Sequence, residues 1–128
     1  MKVLETVLYA EDLQGAYRFY TEMLGLEVVT FDPDRGLFLR CEESLLIVFK
    51  ASETVKPHAI VPPHGTSGQG HMAFAATDEE IEAWKSKLAG AGVEVTKEVE
   101  WENGARSVYF EDPAGNVLEF ATPRLWGF

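Results

Sequence analysis

The chain has 128 residues, 46% of them hydrophobic, a formal net charge of −10 and one cysteine, Cys41. This length predicts one domain, and the acidity argues against binding to nucleic acid or to an anionic membrane surface. A single cysteine excludes an intrachain disulfide, and the N-terminal residues lack the apolar core of a secretory signal, so we expect a cytoplasmic protein.

The first half of the chain predicts a strand, a helix and three more strands. The strand covers about residues 2–10, and Asp12 is placed to cap the helix that follows. Apolar residues recur at helical spacing up to Gly25, which suits the position just after a helix end. Three further strands are predicted at about 26–32, 35–41 and 44–50.

A linker at residues 51–69 separates the two halves. It is rich in proline and glycine and contains two histidines, His58 and His64. Loops of this length are often functional, so either histidine could close over a binding site. A histidine in a mobile loop is otherwise simply solvated.

The second half predicts the same order of elements. A strand at about 70–76 precedes Thr77 and Glu80, which form a capping-box pattern at the start of a helix. The Asn103-Gly104 pair indicates a hairpin turn. Three strands are predicted at about 93–101, 104–111 and 116–121.

The two halves also match in sequence pattern. FLRCEESLLIVF at 38–49 aligns without gaps with YFEDPAGNVLEF at 109–120, at an offset of 71. The chain is therefore predicted to be an α+β domain of two tandem βαβββ modules. Its organisation would be a first module at 1–50, the linker at 51–69, a second module at 70–122 and a C-terminal tail at 123–128.

Three ligand-type residues fall on otherwise apolar strand faces. Alternation puts Glu5 with Val3, Val7 and Tyr9, and it puts His71 and Glu119 on the faces opposite the larger apolar residues. A buried carboxylate needs a cation, a donor or a proton. Two carboxylates and an imidazole are common ligands of divalent metals, although each residue alone could equally be solvated.

The offset of 71 places Val48 at the position of Glu119 in the first module. Full repeat symmetry would supply four ligands, and this sequence offers three. Valine cannot ligate a metal or accept a proton.

The sequence resembles the vicinal-oxygen-chelate superfamily, which includes glyoxalase I, extradiol dioxygenases, fosfomycin-resistance enzymes and bleomycin-resistance proteins. The resemblance covers residues 2–122, and its most specific stretches are ETVLYAEDLQGAYRFYTEMLGLEV, GHMAFAATDEE and YFEDPAGNVLEFATP. It implies that the two modules form a curved mixed-sheet cup with helices on the outside. Metal ligands in that family lie on the first and last strands of each module.

Carried over by position, the resemblance implies Glu5, His71 and Glu119 as ligands of one Mn, Fe, Co, Ni or Zn ion, with Glu119 and Glu5 also in catalytic roles. The first-strand ligand in the family is most often histidine, so Glu5 is a departure. True glyoxalase I chemistry is not expected, because Val48 replaces a carboxylate. Lyase or isomerase, dioxygenase and transferase chemistry all stay open.

Six further residues are candidates for contact with a small oxygen-rich or anionic substrate. Arg40 could bind a carboxylate or phosphate, but such an arginine more often pairs with a neighbouring glutamate. The full set is Tyr9, Phe38, Arg40, Val48, His64 and Tyr109.

A metal-free protein that sequesters an aromatic or cationic compound is the alternative function, and the acidic charge would suit a cationic ligand. In either case the apolar tail residues Leu125, Trp126 and Phe128 favour burial at an interface, which predicts a homodimer with small-molecule substrate as the other partner.

Overall fold

Each half of the chain folds into a four-stranded mixed sheet with a helix packed on one face, which confirms the predicted fold class. The computed structural model describes all 128 residues. The residues group into two units, Met1–Gly70 and His71–Phe128. None of the helices is long and apolar enough to cross a membrane.

The first unit contains four strands and two helices: β1 Glu5–Tyr9, α1 Leu13–Arg18 continued by a π-helical turn Phe19–Met23, β2 Glu27–Asp32, β3 Gly36–Cys41, β4 Ser44–Phe49 and α2 Ala51–Thr54. Strand β1 leads to helix α1, which Asp12 caps by accepting a hydrogen bond from the Gly15 backbone N–H at 2.9 Å. Strand β1 is parallel to β4, the other pairs are antiparallel, and the sheet order is β1-β4-β3-β2.

The second unit contains β5 His71–Ala75, α3 Asp78–Gly90, β6 Lys97–Glu100, β7 Arg106–Glu111, β8 Val117–Ala121 and a final 3-10 turn Pro123–Leu125. It repeats the topology of the first unit, with the sheet order β5-β8-β7-β6. The capping box is present as predicted, since Thr77 accepts from the Glu80 N–H and Glu80 accepts from the Thr77 N–H. Arg106 ties the unit together by pairing with Glu82 on the helix and with Glu98 on β6.

In each sheet, one face packs on a helix and the other carries the candidate site residues. Helix α1 contacts β3 and β4, and α3 contacts β7. The residues on the helix side are apolar and buried. Their removal from water stabilises each unit through the hydrophobic effect. They are Leu8, Leu37, Leu39, Leu46 and Val48 in the first unit and Val108, Phe110, Leu118 and Phe120 in the second. We call the opposite side of each sheet the helix-free face.

The linker prediction missed a short helix. Helix α2 directly follows β4, and the Glu11 carboxylate accepts hydrogen bonds from the Ser52 N–H at 3.0 Å and the Ser52 hydroxyl at 2.6 Å. These bonds satisfy groups at the start of the helix that would otherwise lack partners, and they lower the pKa of the Glu11 carboxyl. Composition alone could not indicate a contact across 41 residues.

The gapless repeat alignment is wrong by one residue in the last strand. Tyr109 lies opposite Glu119 on β8, and Phe38 lies opposite Ile47 on β4. The connection after β7 is one residue longer than its counterpart after β3, because residues 112–116 separate Glu111 from its partner and only 41–44 separate Arg40 from its own. Ile47, not Val48, is therefore the counterpart of Glu119.

The prediction that Val48 lines the ligand site is consequently wrong. Val48 lies on the helix side of β4, beside Leu8 and Leu37 in register, and is 0% exposed. The chemical conclusion survives the correction, since Ile47 is as unable as valine to ligate or to accept a proton.

Candidate functional site

Glu119 is a carboxylate held inside the protein. It lies in the middle of β8 on the helix-free face, between Ala73 and Tyr109 in register, and its side chain is only 7% exposed. Its Oε1 atom has no hydrogen-bond partner. A buried carboxylate oxygen without a partner is unfavourable unless a cation or a proton neutralises it. The sequence predicts that this glutamate needs a partner, and Oε1 is the atom that lacks one.

His71 supplies a nitrogen next to that carboxylate. Its Nδ1 is 3.0 Å from the Val117 carbonyl oxygen, and its Nε2 is 3.3 Å from Glu119 Oε2. Because a carbonyl only accepts hydrogen bonds, Nδ1 carries a proton and donates it. This backbone hydrogen bond leaves Nε2 to face Glu119, and it orients the ring in the way that ligating histidines are commonly oriented.

The His71–Glu119 pair fits half of a metal centre. Two ligands at about 2.1 Å from one ion, at angles of about 90–109°, are separated by about 3.0–3.4 Å. The observed 3.3 Å between Nε2 and Oε2 falls within that range. The same distance also suits an ion pair with a protonated imidazole. The unpartnered Oε1 is the observation that favours a cation over a proton shared with His71 alone.

The third predicted ligand, Glu5, lies in the other unit. It is an exposed residue at the start of β1, on the helix-free face of the first sheet. No group of three or more His, Cys, Asp and Glu side chains is placed to hold a metal ion. The structure thus brings two of the three predicted ligands together, and the participation of Glu5 stays a prediction.

Tyr109 extends the polar cluster of the second unit. Its ring stacks on that of His71 with centroids 6.2 Å apart, and it lies directly opposite Glu119. Burial raises the pKa of the Tyr109 phenol, and the Glu119 carboxylate raises it as well, while Ser107 lowers it. The phenol is thereby kept protonated as a hydrogen-bond donor.

Sequence reasoning missed Ser107, which bonds Tyr109, and Trp101, which bonds Ser107. Ser107 is fully buried on the same face of β7, and its hydroxyl accepts a 2.9 Å hydrogen bond from the indole N–H of Trp101. Strand alternation from Tyr109 already puts position 107 on the ligand-bearing face, so Ser107 could have been found. Trp101 could not, because it reaches Ser107 from beyond the end of β6.

In the first unit the helix-free face carries a group of aromatic rings in addition to Glu5. Phe38 and Phe49 pack edge to face with centroids 5.5 Å apart, and Phe49 contacts the His64 ring at 4.9 Å. The Tyr9 hydroxyl is 2.7 Å from His64 Nδ1. The structure therefore holds His64 on the sheet, next to Tyr9, which is predicted with it as a substrate contact.

Arg40 pairs with a neighbouring glutamate, which is the more common of the two roles considered for it. Its Nε is 3.7 Å from the carboxylate of Glu27, the residue directly opposite on β2. Both side chains are more than half exposed, and such pairs contribute little free energy. A substrate contact by Arg40 stays a prediction, with a glutamate already beside it.

Two βαβββ units, with His71 beside the buried Glu119 carboxylate on the helix-free face of the second, define a class of small proteins built from a repeated module. The chain belongs to the Glyoxalase/Bleomycin resistance protein/Dioxygenase superfamily, whose family model matches residues 2–120. The resemblance read from the sequence is confirmed over almost the whole chain.

Several known proteins are similar to it. Glutathione transferase FosA of Serratia marcescens is 33% identical over 112 residues, which cover 88% of this chain and 74% of that protein. Metallothiol transferase FosB of Bacillus licheniformis is 40% identical over 53 residues, 41% of this chain and 34% of that one. The crystal structure of a lactoylglutathione lyase from Agrobacterium tumefaciens superimposes with a TM-score of 0.96 at 38% identity, over 99% of this chain and 97% of that one.

Proposed function

We propose that this protein is a metal-dependent enzyme that joins a thiol to a small electrophile bearing neighbouring oxygens or an anionic group. The observation that carries the proposal is the buried Glu119 carboxylate, with one oxygen unpaired and the other 3.3 Å from His71 Nε2. A protein that merely sequesters an aromatic compound has no need of such a pair, whereas one that sequesters a cationic compound could use the carboxylate alone. Two of the similar proteins are named as transferases that use glutathione or another thiol.

In this proposal His71, Glu119 and Glu5 hold one divalent ion. The ion would supply Lewis acidity, which stabilises negative charge that develops on a bound oxygen. Tyr109, kept protonated by its raised pKa, donates a hydrogen bond to the same ligand. Glu119 lies against Nε2 of His71, and the Ser107 side chain is hydrogen-bonded to the Tyr109 phenol.

Strand β4 of the first unit favours transfer over isomerisation, because it offers no second carboxylate base. Isomerising a thiol adduct moves a proton between adjacent carbons, which requires a base close to the bound substrate. Ile47 occupies the place where repeat symmetry would put a second carboxylate. Lactoylglutathione lyase chemistry is the second candidate, because the lyase from Agrobacterium tumefaciens has the same fold at a TM-score of 0.96.

Metal binding is tested first, on protein purified without a metal-affinity tag. Apo protein titrated by calorimetry with Mn, Fe, Co, Ni and Zn should bind one ion per chain. Glu119→Gln and His71→Gln should each weaken binding at least tenfold, because each removes a ligand atom. Glu111→Gln, on the same sheet face at the exposed end of β7, is the matched control and should bind as the wild type does.

No binding by the wild type near neutral pH would contradict the proposal and favour metal-free sequestration. The loaded protein is then given glutathione with either fosfomycin, as an epoxide, or methylglyoxal, which forms a hemithioacetal. We expect conjugation to the epoxide and weak or undetectable turnover of the hemithioacetal. Robust hemithioacetal turnover would instead select the lyase.

A further inference from the structure

His64 belongs to the linker in sequence but to the first sheet in space. Its Nδ1 is 2.7 Å from the Tyr9 hydroxyl, and its ring packs against Phe49 with centroids 4.9 Å apart. These partners lie on two neighbouring strands, β1 and β4. The imidazole is therefore seated on the helix-free face.

The backbone around His64 is fixed independently of these side-chain contacts. The His64 N–H donates to the Thr54 carbonyl oxygen at the end of α2, at 3.0 Å. Gly65 lies so close to Val55 that a Cβ built on it would be 2.6 Å from the valine Cγ1. The start of α2 is bound in turn by the Glu11 carboxylate. Such a built arrangement is not expected for a histidine that is only a solvated part of a loop.

The other linker histidine shows the contrast. His58 is exposed, and its Nδ1 accepts hydrogen bonds from the backbone N–H groups of Ile60 and Val61. These bonds stabilise a local turn, and they involve no residue of β1 or β4. His58 is thus a natural control for His64.

The spacing between Glu5 and Tyr9, the hydrogen-bond partner of His64, leaves room for a two-part ligand. Tyr9 is four residues beyond Glu5 on the same face of β1, so their Cα atoms are about 13 Å apart. An electrophile bound near Glu5 would leave the stretch toward Tyr9 for a second reactant. A tripeptide thiol such as glutathione, about 10 Å long when extended, matches that stretch.

We propose that His64 accepts the proton of the thiol co-substrate, with Tyr9 as its positioning residue. This inference rests on the proposed thiol transfer. In the step, the S–H bond breaks, its proton moves to Nε2 of His64, and the electron pair stays on sulfur. The products are a thiolate, which is the reactive nucleophile, and an imidazolium.

The surroundings of His64 suit this role. Imidazole exchanges protons near neutral pH, and a phenol oxygen can both donate and accept, so the bond to Tyr9 persists in either charge state. In the imidazolium, Nδ1–H donates to the Tyr9 oxygen. The other charged groups on the elements packed against His64 are Glu5 on β1, Lys50 before α2, and Glu53 on α2, which pairs with Lys56.

The first test follows the histidine rings by NMR while reduced glutathione is added to the wild-type protein, both metal-free and metal-loaded. The His64 ring nitrogen and carbon signals should move and saturate, whereas those of His58 should not. Assignment comes from the His64→Gln and His58→Gln variants. Unchanged His64 signals at millimolar glutathione would overturn the proposal, whether or not the protein binds metal.

The second test measures the rate of glutathione conjugation against pH. His64→Gln should lower kcat about 10²-fold or more, the usual contribution of a general base, and remove the acidic limb of the profile. Tyr9→Phe should lower the rate less and displace that limb, while His58→Gln should match the wild type. Metal affinity should be unchanged in all three variants, which separates this proposal from the metal site. A full rate and an unchanged pH profile in a folded His64→Gln variant would refute the role of His64.

Discussion

Burial raises the pKa of the Cys41 thiol, a backbone hydrogen bond at Leu46 lowers it, and the Glu42 carboxylate raises it again. Cys41 ends β3 on the edge of a tight connection, and its side chain is only partly accessible. Because the thiolate and not the thiol is the nucleophile, this residue is kept unreactive by its surroundings.

We expect Cys41 to be alkylated by iodoacetamide more slowly than a free thiol, with the midpoint of the rate against pH displaced upward. The folded state favours the protonated thiol, so the thiol's contribution to the free energy of unfolding is complete at pH values below the ordinary thiol pKa. It is lost as the pH rises through the raised pKa of the folded protein. Mass spectrometry is unambiguous because the chain has one cysteine. Alkylation of folded protein as fast as that of urea-unfolded protein would contradict the prediction.

At the scale of the elements, two glycines show what the sheet and the helix require. Gly36 begins β3, and a Cβ built on it would be 2.8 Å from the Phe49 ring and 3.3 Å from the Phe38 ring. Gly90 ends α3, and a Cβ built there meets nothing within 4 Å. The absence of a side chain at Gly36 lets two aromatic rings pack over the strand, whereas no neighbouring side chain requires a glycine at position 90.

Gly36→Ala should lower the free energy of unfolding by about 1–3 kcal/mol, because the rings must move to admit a methyl group. Gly90→Ala should instead leave stability unchanged or raise it by about 0.5–1 kcal/mol, since alanine favours helix. Urea unfolding followed by circular dichroism measures both. Equal changes in the free energy of unfolding would show that the close approach of the Phe38 and Phe49 rings to Gly36 does not limit which residue can stand there.

The elements themselves could be predicted from sequence, because their signals are local. The Asp12 cap and the Thr77–Glu80 capping box are set by residues three apart, and strand alternation gave the correct face for Glu5, His71 and Glu119. The register of β4 could not be predicted, because it depends on the length of a connection that the pattern does not measure. The place of His64 could not be predicted either, since it is fixed by a contact across 55 residues.

For the whole molecule, the exposed apolar side chains are the feature that a single chain leaves unexplained. Val3 and Leu4 before β1 are 72% and 70% exposed, and Trp126 and Phe128 in the tail are 75% and 92% exposed. Large apolar side chains grouped at the two termini favour an interface with another chain.

We therefore expect a homodimer, in which each metal site takes Glu5 from one chain and His71 with Glu119 from the other. Sedimentation should give a dimer at micromolar concentration, and a monomer there would contradict it. Mixing Glu5→Ala with His71→Ala protein should restore about one metal site per mixed dimer, measured by calorimetry. If subunit exchange is demonstrated and no site returns, the shared arrangement is wrong and only the dimer stands.

Residues that lie side by side across the strands form rows, and the corresponding rows of the two sheets differ in which residue types they can accept. Ala73, Glu119 and Tyr109 form one row in the second unit, and Val7, Ile47 and Phe38 form its counterpart in the first. A duplicated unit provides two copies of every row, and only one copy has to keep a carboxylate for an ion. The other copy can change its chemistry without loss of the fold, and in this chain it has become an apolar surface whose shape can follow a new substrate.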